Sequence, residues 1–381
     1  MLNQRFFFCI CILSFLASAS GAEVHARTAP RYRLVGYVAA AEVLPRVDAE
    51  KLTAINYAFA HIDAAGRIAL DMPSAAHNLA SLRALKSRNP QLAILASVGG
   101  WGAEGFSDAA ADAAARARFA QSAVELIATT GIDGIDLDWE YPGLPGAGLV
   151  HRSEDERNFT LLLRELRQSL DTFARQHPRK PGDRILLTAA LADREFVAHI
   201  ELGRIHPYLD WINLMTYDFH NSLTPTTGHH AALARSSTSA AEERSVEHAV
   251  DQFLAAGVPA GKLVVGVPFY GRAFADVQPQ NRGLDQPYGH YDREYTWPQL
   301  VAGLIDRDGY VRYWDDVAHV PYLWKAQTRE FVSYDDPRSL ALKADFVAAH
   351  ALGGIMYWEQ SQDPDGELLG VLAARLHETP H

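Results

Sequence analysis

The stretch Asp133-Gly134-Ile135-Asp136-Leu137-Asp138-Trp139-Glu140 concentrates carboxylates among branched and aromatic apolar residues. In an extended chain alternate side chains share a face, so Asp136, Asp138 and Glu140 line one side while Ile135, Leu137 and Trp139 line the other. Each residue advances the chain by about 3.3 Å, so neighbouring acids stand about 6.6 Å apart at Cα and their carboxyl groups can meet. Like charges that close cannot all ionise; at least one pKa rises and a proton is shared. A merely solvated row would need an exposed strand face, whereas this strand sits mid-chain among parallel-sheet signals. Aligned carboxylates can also hold Mg²⁺ or Ca²⁺, but a calcium loop needs a turn with a glycine, and this stretch is β-patterned between its acids. The chemistry that remains is acid catalysis. Glu140, last in the row, donates a proton to a leaving oxygen, and Asp138 beside it positions a substrate group and keeps Glu140 protonated at rest.

The elements that must hold this row are legible as alternating patterns. Apolar, β-branched runs recur at Leu34 to Val38, Ala54 to Ala60, Leu92 to Val98, Gly134 to Trp139, Ile185 to Leu191, Trp211 to Tyr217, Leu263 to Tyr270 and Gly354 to Trp358. Helical periodicity falls between most of them, at Leu79 to Lys86, Ala113 to Ala128, Glu154 to Phe173, Ala241 to Ala255, Leu340 to His350 and Glu367 to Leu376. Eight strand signals with helices between them predict an α/β fold, a closed (β/α)8 TIM barrel spanning 31–378, with Glu140 near the C-terminal mouth. A doubly wound sheet is the alternative, but no Gly-x-Gly-x-x-Gly follows an early strand. Between Arg272 and Asp336 the alternation lapses for too long to be a loop, which predicts a small α+β insertion at 273–335, after the seventh strand. Ten of its 63 residues are Trp or Tyr, against 7 Trp and 15 Tyr in all 381. Such side chains suit a wet surface that stacks on sugar rings, and they equally suit the core a small domain has to build.

Composition narrows the class. The chain is 48% hydrophobic and 21% charged, with 35 basic against 46 acidic residues and a formal charge of −11. That balance excludes disorder and fibre, and without a basic cluster it argues against nucleic acid as a partner. Residues 1–22 have Arg5, the apolar run Phe6 to Leu16 and small residues ending at Ala22, the pattern of a signal peptide; an apolar run of about 11 is short of the roughly 20 that span a bilayer. Both cysteines, Cys9 and Cys11, fall inside it, so the mature chain would be an exported protein without disulfides, extracellular, or periplasmic in a Gram-negative source. His229-His230 has no His-x-x-x-His partner, and no metal or cofactor is expected. A monomer with no membrane association after signal cleavage is expected.

Asp-Gly-Ile-Asp-Leu-Asp-Trp-Glu resembles the Asp-x-x-Asp-x-Asp-x-Glu signature of glycoside hydrolase family 18, the chitinases and their relatives. Ser97-Val98-Gly99-Gly100, Met215-Thr216-Tyr217-Asp218, Tyr270-Gly271-Arg272 and Met356-Tyr357-Trp358 join it in strand order, and the resemblance runs from about Arg33 to Leu376. The insertion is similar to the α+β domain that walls the groove of deep-cleft chitinases. The resemblance implies a β-1,4 N-acetylglucosamine polymer or oligomer as substrate and a retaining mechanism in which the substrate's acetamido oxygen is the nucleophile, outside the two-carboxylate scheme. It implies Glu140 as acid/base, Asp138 holding the acetamido N–H, Asp136 sharing a proton with Asp138, and Tyr217 bonding the acetamido group. Trp358 would floor the distorted sugar, Asp218 and Arg272 would contact substrate or the network, and Met215, Tyr37, Phe59, Trp101, Trp139 and Tyr270 would line the pocket. Asp133, of opposite strand parity, and Ser97, Gly99 and Gly100 would be structural. Two other readings are a non-catalytic lectin-like relative, against which Glu140 argues, and an endo-β-N-acetylglucosaminidase acting on glycoprotein glycans. The aromatic insertion and Tyr270-Gly271-Arg272 favour chitin.

Overall fold

A computed structural model describes residues 1, 32–70, 72–179, 184–237 and 243–377. The signal-peptide segment and both cysteines lie outside the described residues. The strands in chain order are β1 (Arg33–Ala39), β2 (Ala54–Ile62), β3 (Ile68–Ala69), β4 (Ala93–Gly99), β5 (Gly134–Asp138), β6 (Leu186–Leu191), β7 (Trp211–Leu214), β8 (Leu263–Pro268), β9 (Tyr270–Ala275), β10 (His290–Thr296), β11 (Val311–Asp315), β12 (Val320–Lys325), β13 (Glu330–Ser333) and β14 (Gly354–Trp358). Strands β1, β2, β4, β5, β6, β7, β8 and β14 pair in parallel around a closed ring, sealed where β1 pairs with both β14 and β2. This is the (β/α)8 barrel that the strand and helix alternation predicts.

Every residue of β5 is buried, as expected of a strand with one face in the barrel and the other under helices. The helix Asp155–Gln176 turns Phe159, Leu162, Leu163, Leu166 and Leu170 onto that outer face, at the helical spacing of an apolar stripe. The helix Ala113–Thr130 is capped by Asp112, whose side chain accepts from the Ala115 N–H, and ends at Gly131 with φ of 70°, the left-handed cap that glycine adopts without strain. Inside the ring Val35, Tyr37, Ala54, Ala58, Leu95, Trp211, Val264 and Met356 fill the core.

Two elements depart from the sequence expectation. The run Trp211 to Tyr217 is strand only to Leu214, because the Thr216 hydroxyl takes over the pairing: it donates to the Gly266 carbonyl at 2.7 Å and accepts the Gly266 N–H at 3.0 Å. The helix expected from Ala241 begins at Val246, where the Ser245 side chain accepts the His248 N–H.

The strands from Tyr270 to Ser333 form a second, antiparallel sheet in the order β10-β9-β13-β12-β11. Its aromatics are largely packed away, some in a core of its own and some in the main core. Phe274, Tyr322, Trp324 and Phe331 pack with Val277 and Leu284, and Trp297, Tyr310 and Tyr334 are buried in the main core. A five-stranded sheet has little surface to bury, and large rings supply it. The demands of packing thus account for most of the aromatic enrichment that also suits sugar stacking.

Candidate active site

Barrel register decides what surrounds the acid row. Asp136 pairs with Ser97 on β4 and with Thr188 on β6, so both hydroxyls flank its carboxylate. Asp136 accepts from Tyr37 Oη at 2.8 Å, Ser97 Oγ at 2.8 Å, Thr188 Oγ1 at 2.5 Å and Asn213 Nδ2 at 3.2 Å. Asn213 is itself held by the Trp211 indole N–H, which donates to its Oδ1 at 3.0 Å. Burial pushes the Asp136 carboxyl up, and the hydroxyl and amide donors pull against that. Asp136 is therefore anchored by four donors, and its charge acts on Asp138.

Asp138 is the unsatisfied member. It is 4% exposed, its Oδ1 is buried without a hydrogen-bond partner, and burial followed by the Glu140 and Asp136 charges pushes its pKa well above the carboxylate range. An unpartnered acceptor facing a barrel mouth is costly unless something arrives to donate to it. Glu140 lies just past the end of β5. Burial lifts its pKa to about 7, the Tyr141 phenol beside it pulls down as a donor, and the Asp218 charge pushes up. A carboxyl that is half protonated near neutrality can both give and take a proton.

Glycines let the neighbouring strand end come this close. A Cβ on Gly99, at φ of 119°, would lie 2.1 Å from the Asp138 carbonyl oxygen, and one on Gly100, at φ of 91°, would meet the Phe59 ring at 2.7 Å. The Gly100 N–H donates to that Asp138 carbonyl at 3.0 Å. Ser97, Gly99 and Gly100 thus hold the floor of the site.

The loop after β7 supplies the opposing wall. Tyr217 packs at the barrel mouth with Met215, Trp358, Phe59 and Tyr37, and its phenol is pushed up by burial and then by Asp138, Asp218 and Glu140. Trp358 lies 5.6 Å from Tyr37 and stacks on Phe59 at 5.6 Å. Asp218 accepts from Tyr270 Oη at 2.6 Å and from Arg272 through Nε to Oδ1 at 2.5 Å and Nη2 to Oδ2 at 2.6 Å. Burial would raise Asp218, but His230 and Arg272 outweigh it and hold the carboxyl below its ordinary range. Arg272 also donates to Tyr291 Oη at 2.8 Å and pairs with Glu294 at 3.0 Å. Trp101 is 58% exposed with its ring 6.2 Å from Tyr141.

One residue expected in the pocket, Trp139, lies away from it, and Asp133, expected to be structural, stands at the strand ends. Trp139 faces outward from β5, stacked on Phe106 at 5.2 Å and edge-on to Phe159 at 5.5 Å. It belongs to the layer between barrel and helices, which strand parity requires and its aromatic type disguises. Asp133 pairs with Lys86 at 2.6 Å and Arg179 at 3.2 Å and accepts the Ile94 N–H at 2.8 Å, tying strand ends together. Among the described residues no group of three or more His, Cys, Asp and Glu is placed to hold a metal ion.

A family model for the glycosyl hydrolases of family 18 matches residues 33–363. The chain belongs to family 18. It is 40% identical over 322 residues to chitinase A1 of Niallia circulans, covering 80% of this chain and 45% of that protein. It is 35% identical over 340 residues to chitotriosidase-1 of Mus musculus, covering 84% of this chain and 69% of that protein. The chain therefore spans under half of one curated relative and about two thirds of the other. Among solved structures it superposes on a family 18 N-acetylglucosaminidase from Paenibacillus barengoltzii with a TM-score of 0.83 at 40% identity, covering 91% of this chain and all of that one.

Sequence reasoning missed several members of this family 18 site. Thr188 and Asn213 complete the Asp136 cage, and buried His230 lies with Nδ1 3.6 Å from Asp218. Tyr141, next to Glu140 in the chain, and Phe196 pack with ring centroids 4.4 Å apart and planes inclined at 38°. Tyr141 follows the acid row directly, but strand alternation would send it to the face opposite Glu140, so the sequence carried no signal for it.

Proposed function

We propose that this chain is an exported chitinase that hydrolyses β-1,4-linked N-acetylglucosamine chains with retention, with Glu140 as general acid and base. One observation carries the reading: in a family whose relatives here are named chitinases, a carboxyl with pKa raised to about 7 stands just beyond an aspartate whose buried oxygen lacks a partner. The Glu140 proton passes to the glycosidic oxygen as the bond to the anomeric carbon breaks. The acetamido carbonyl oxygen of the same sugar attacks that carbon and closes an oxazolinium ring. Asp138 accepts the acetamido N–H and stabilises the positive charge that grows there only in the transition state, and the Tyr217 phenol hydrogen-bonds the acetamido group and holds its oxygen in line with the anomeric carbon. Glu140, now a carboxylate, takes a proton from water, which opens the ring from the side the leaving group left. Trp358 and Phe59 offer the apolar floor for the distorted sugar, and Asp136 anchors the strand behind Asp138 and shares a proton with it.

The test is hydrolysis of a chromogenic chitobioside and chitotrioside by the wild type and by Glu140→Gln. Loss of turnover in the variant supports the assignment, and equal release by both proteins rejects it. Similarity to the N-acetylglucosaminidase, covered along its whole length, supports a second reading: exo-acting release of single sugars. A product time course from a chitin hexamer separates the two, since exo action releases monomer from the first time point.

A further inference from the structure

We infer that Arg244, remote in sequence from the acid row, is a positioning residue for Glu140: it locks Phe196 against Tyr141, and Tyr141 fixes where the Glu140 carboxyl sits. This rests on the proposed role of Glu140. Arg244 immediately precedes Ser245, the cap of the helix Val246–Ala255, so its backbone is set by the helix start. Its Nε donates to Asp193 Oδ1 at 2.8 Å and its Nη2 bonds the same oxygen, with side chains only 14% and 2% exposed. The guanidinium carbon lies 4.6 Å from the centre of the Phe219 ring and 5.3 Å from that of Phe196. One cation thus stacks on rings from the loops after β6 and β7 while a buried carboxylate holds it in plane.

The same turn that carries the anchor carries the ring. The Phe196 N–H donates to the Asp193 carbonyl at 3.2 Å, so Asp193 and Phe196 move together. The Phe196 ring meets Tyr141 at 4.4 Å, Tyr141 follows Glu140 directly in the chain, and its phenol pulls the Glu140 carboxyl down while itself lying within reach of the Arg244 charge. Around Arg244 the ionisable groups are Asp193, Tyr141, Glu243, whose Oε1 accepts the Arg244 N–H at 3.2 Å, His220, 2.9 Å from that same Oε1, and Arg194. Around Glu140 they are Tyr141, Asp138, Asp218 and Tyr217. Loosening the latch frees Tyr141, which misplaces the acid and withdraws a donor that favours its carboxylate form.

The experiment compares wild type, R244M, R244K, Y141F and the double variant Y141F/R244M on the chromogenic chitobioside across pH. Wild-type turnover that vanishes in Glu140→Gln establishes the underlying reading; a wild type without turnover overturns both. With turnover present, R244M should lose about ten- to a hundredfold in kcat with little change in KM, the loss typical of a misplaced reacting group. Its alkaline limb should move to higher pH, R244K should recover part of the loss, and R244M should cost less than about twofold in the Y141F background. Losses that multiply in the double variant overturn the proposal. So does a folded R244M with lower melting temperature but wild-type kcat and pH profile, which would mark a plain structural tie. If R244M does not fold, D193N is read by the same criteria.

Discussion

Arg272 grips Asp218 side-on, with Nε on one carboxylate oxygen at 2.5 Å and Nη2 on the other at 2.6 Å. The pair keeps a negative charge at the barrel mouth that would otherwise protonate on burial, and that charge is one of the forces lifting Glu140. A side-on guanidinium holds a carboxylate in one orientation, which a lysine would not.

Replacing Asp218 by Asn removes a like charge facing Glu140 and leaves the Arg272 cation behind. Both changes favour ionised Glu140, so its pKa falls. The alkaline limb of kcat/KM, which on the proposed mechanism follows loss of the Glu140 proton, should shift to lower pH than in the wild type. An unmoved limb in a folded D218N protein would show that Asp218 does not act on the acid.

The raised pKa of Glu140 also has a stability consequence. A carboxyl at 4.5 in the unfolded chain and about 7 in the fold is harder to ionise when folded, so stability is lost as pH rises through that window and stays lost above it. Glu140→Gln cannot ionise. It should be more stable than the wild type at pH 8, by at most about 3 kcal/mol, and equal to it at pH 4. Denaturant melts at the two pH values check this, and a variant no more stable at pH 8 contradicts it.

Thr188 is fully buried, and its hydroxyl is one of the donors on Asp136. Valine has nearly the same shape and no donor. Thr188→Val should destabilise the barrel by about 1–3 kcal/mol, because a buried carboxylate loses a partner, and should lower the melting temperature by a few degrees. A melting temperature equal to the wild type would show that the other donors suffice.

The proposed hydrolysis, through protein carboxyls and the substrate's own amide, needs no Lewis acid. Turnover of the chitobioside should be unchanged after dialysis against EDTA. Activity lost on chelation and restored by a divalent ion would revive the reading in which the acid row holds a metal.

The barrel and its acid row were legible because buried parallel strands read as apolar runs, and because alternation alone puts Asp136, Asp138 and Glu140 on one face. The partners of that row were not. Asn213 and Tyr37 are 176 residues apart in sequence, and only closure of the ring brings both to Asp136. Thr188 and His230 are ordinary residues whose meaning comes from register and burial. Trp139 shows the opposite error: its indole suggests a sugar wall, yet parity commits it to the helix layer. In the insertion, composition could not separate rings that face a groove from rings that fill a core, since both demand Tyr and Trp.

Arg272 belongs to two structures at once. It stands on β9, bonds Asp218 at the barrel mouth, and reaches Tyr291 and Glu294 on β10 of the second sheet. An engineer who trims that sheet, or swaps in one from another relative, would also be rewiring the voltage at the proposed proton donor.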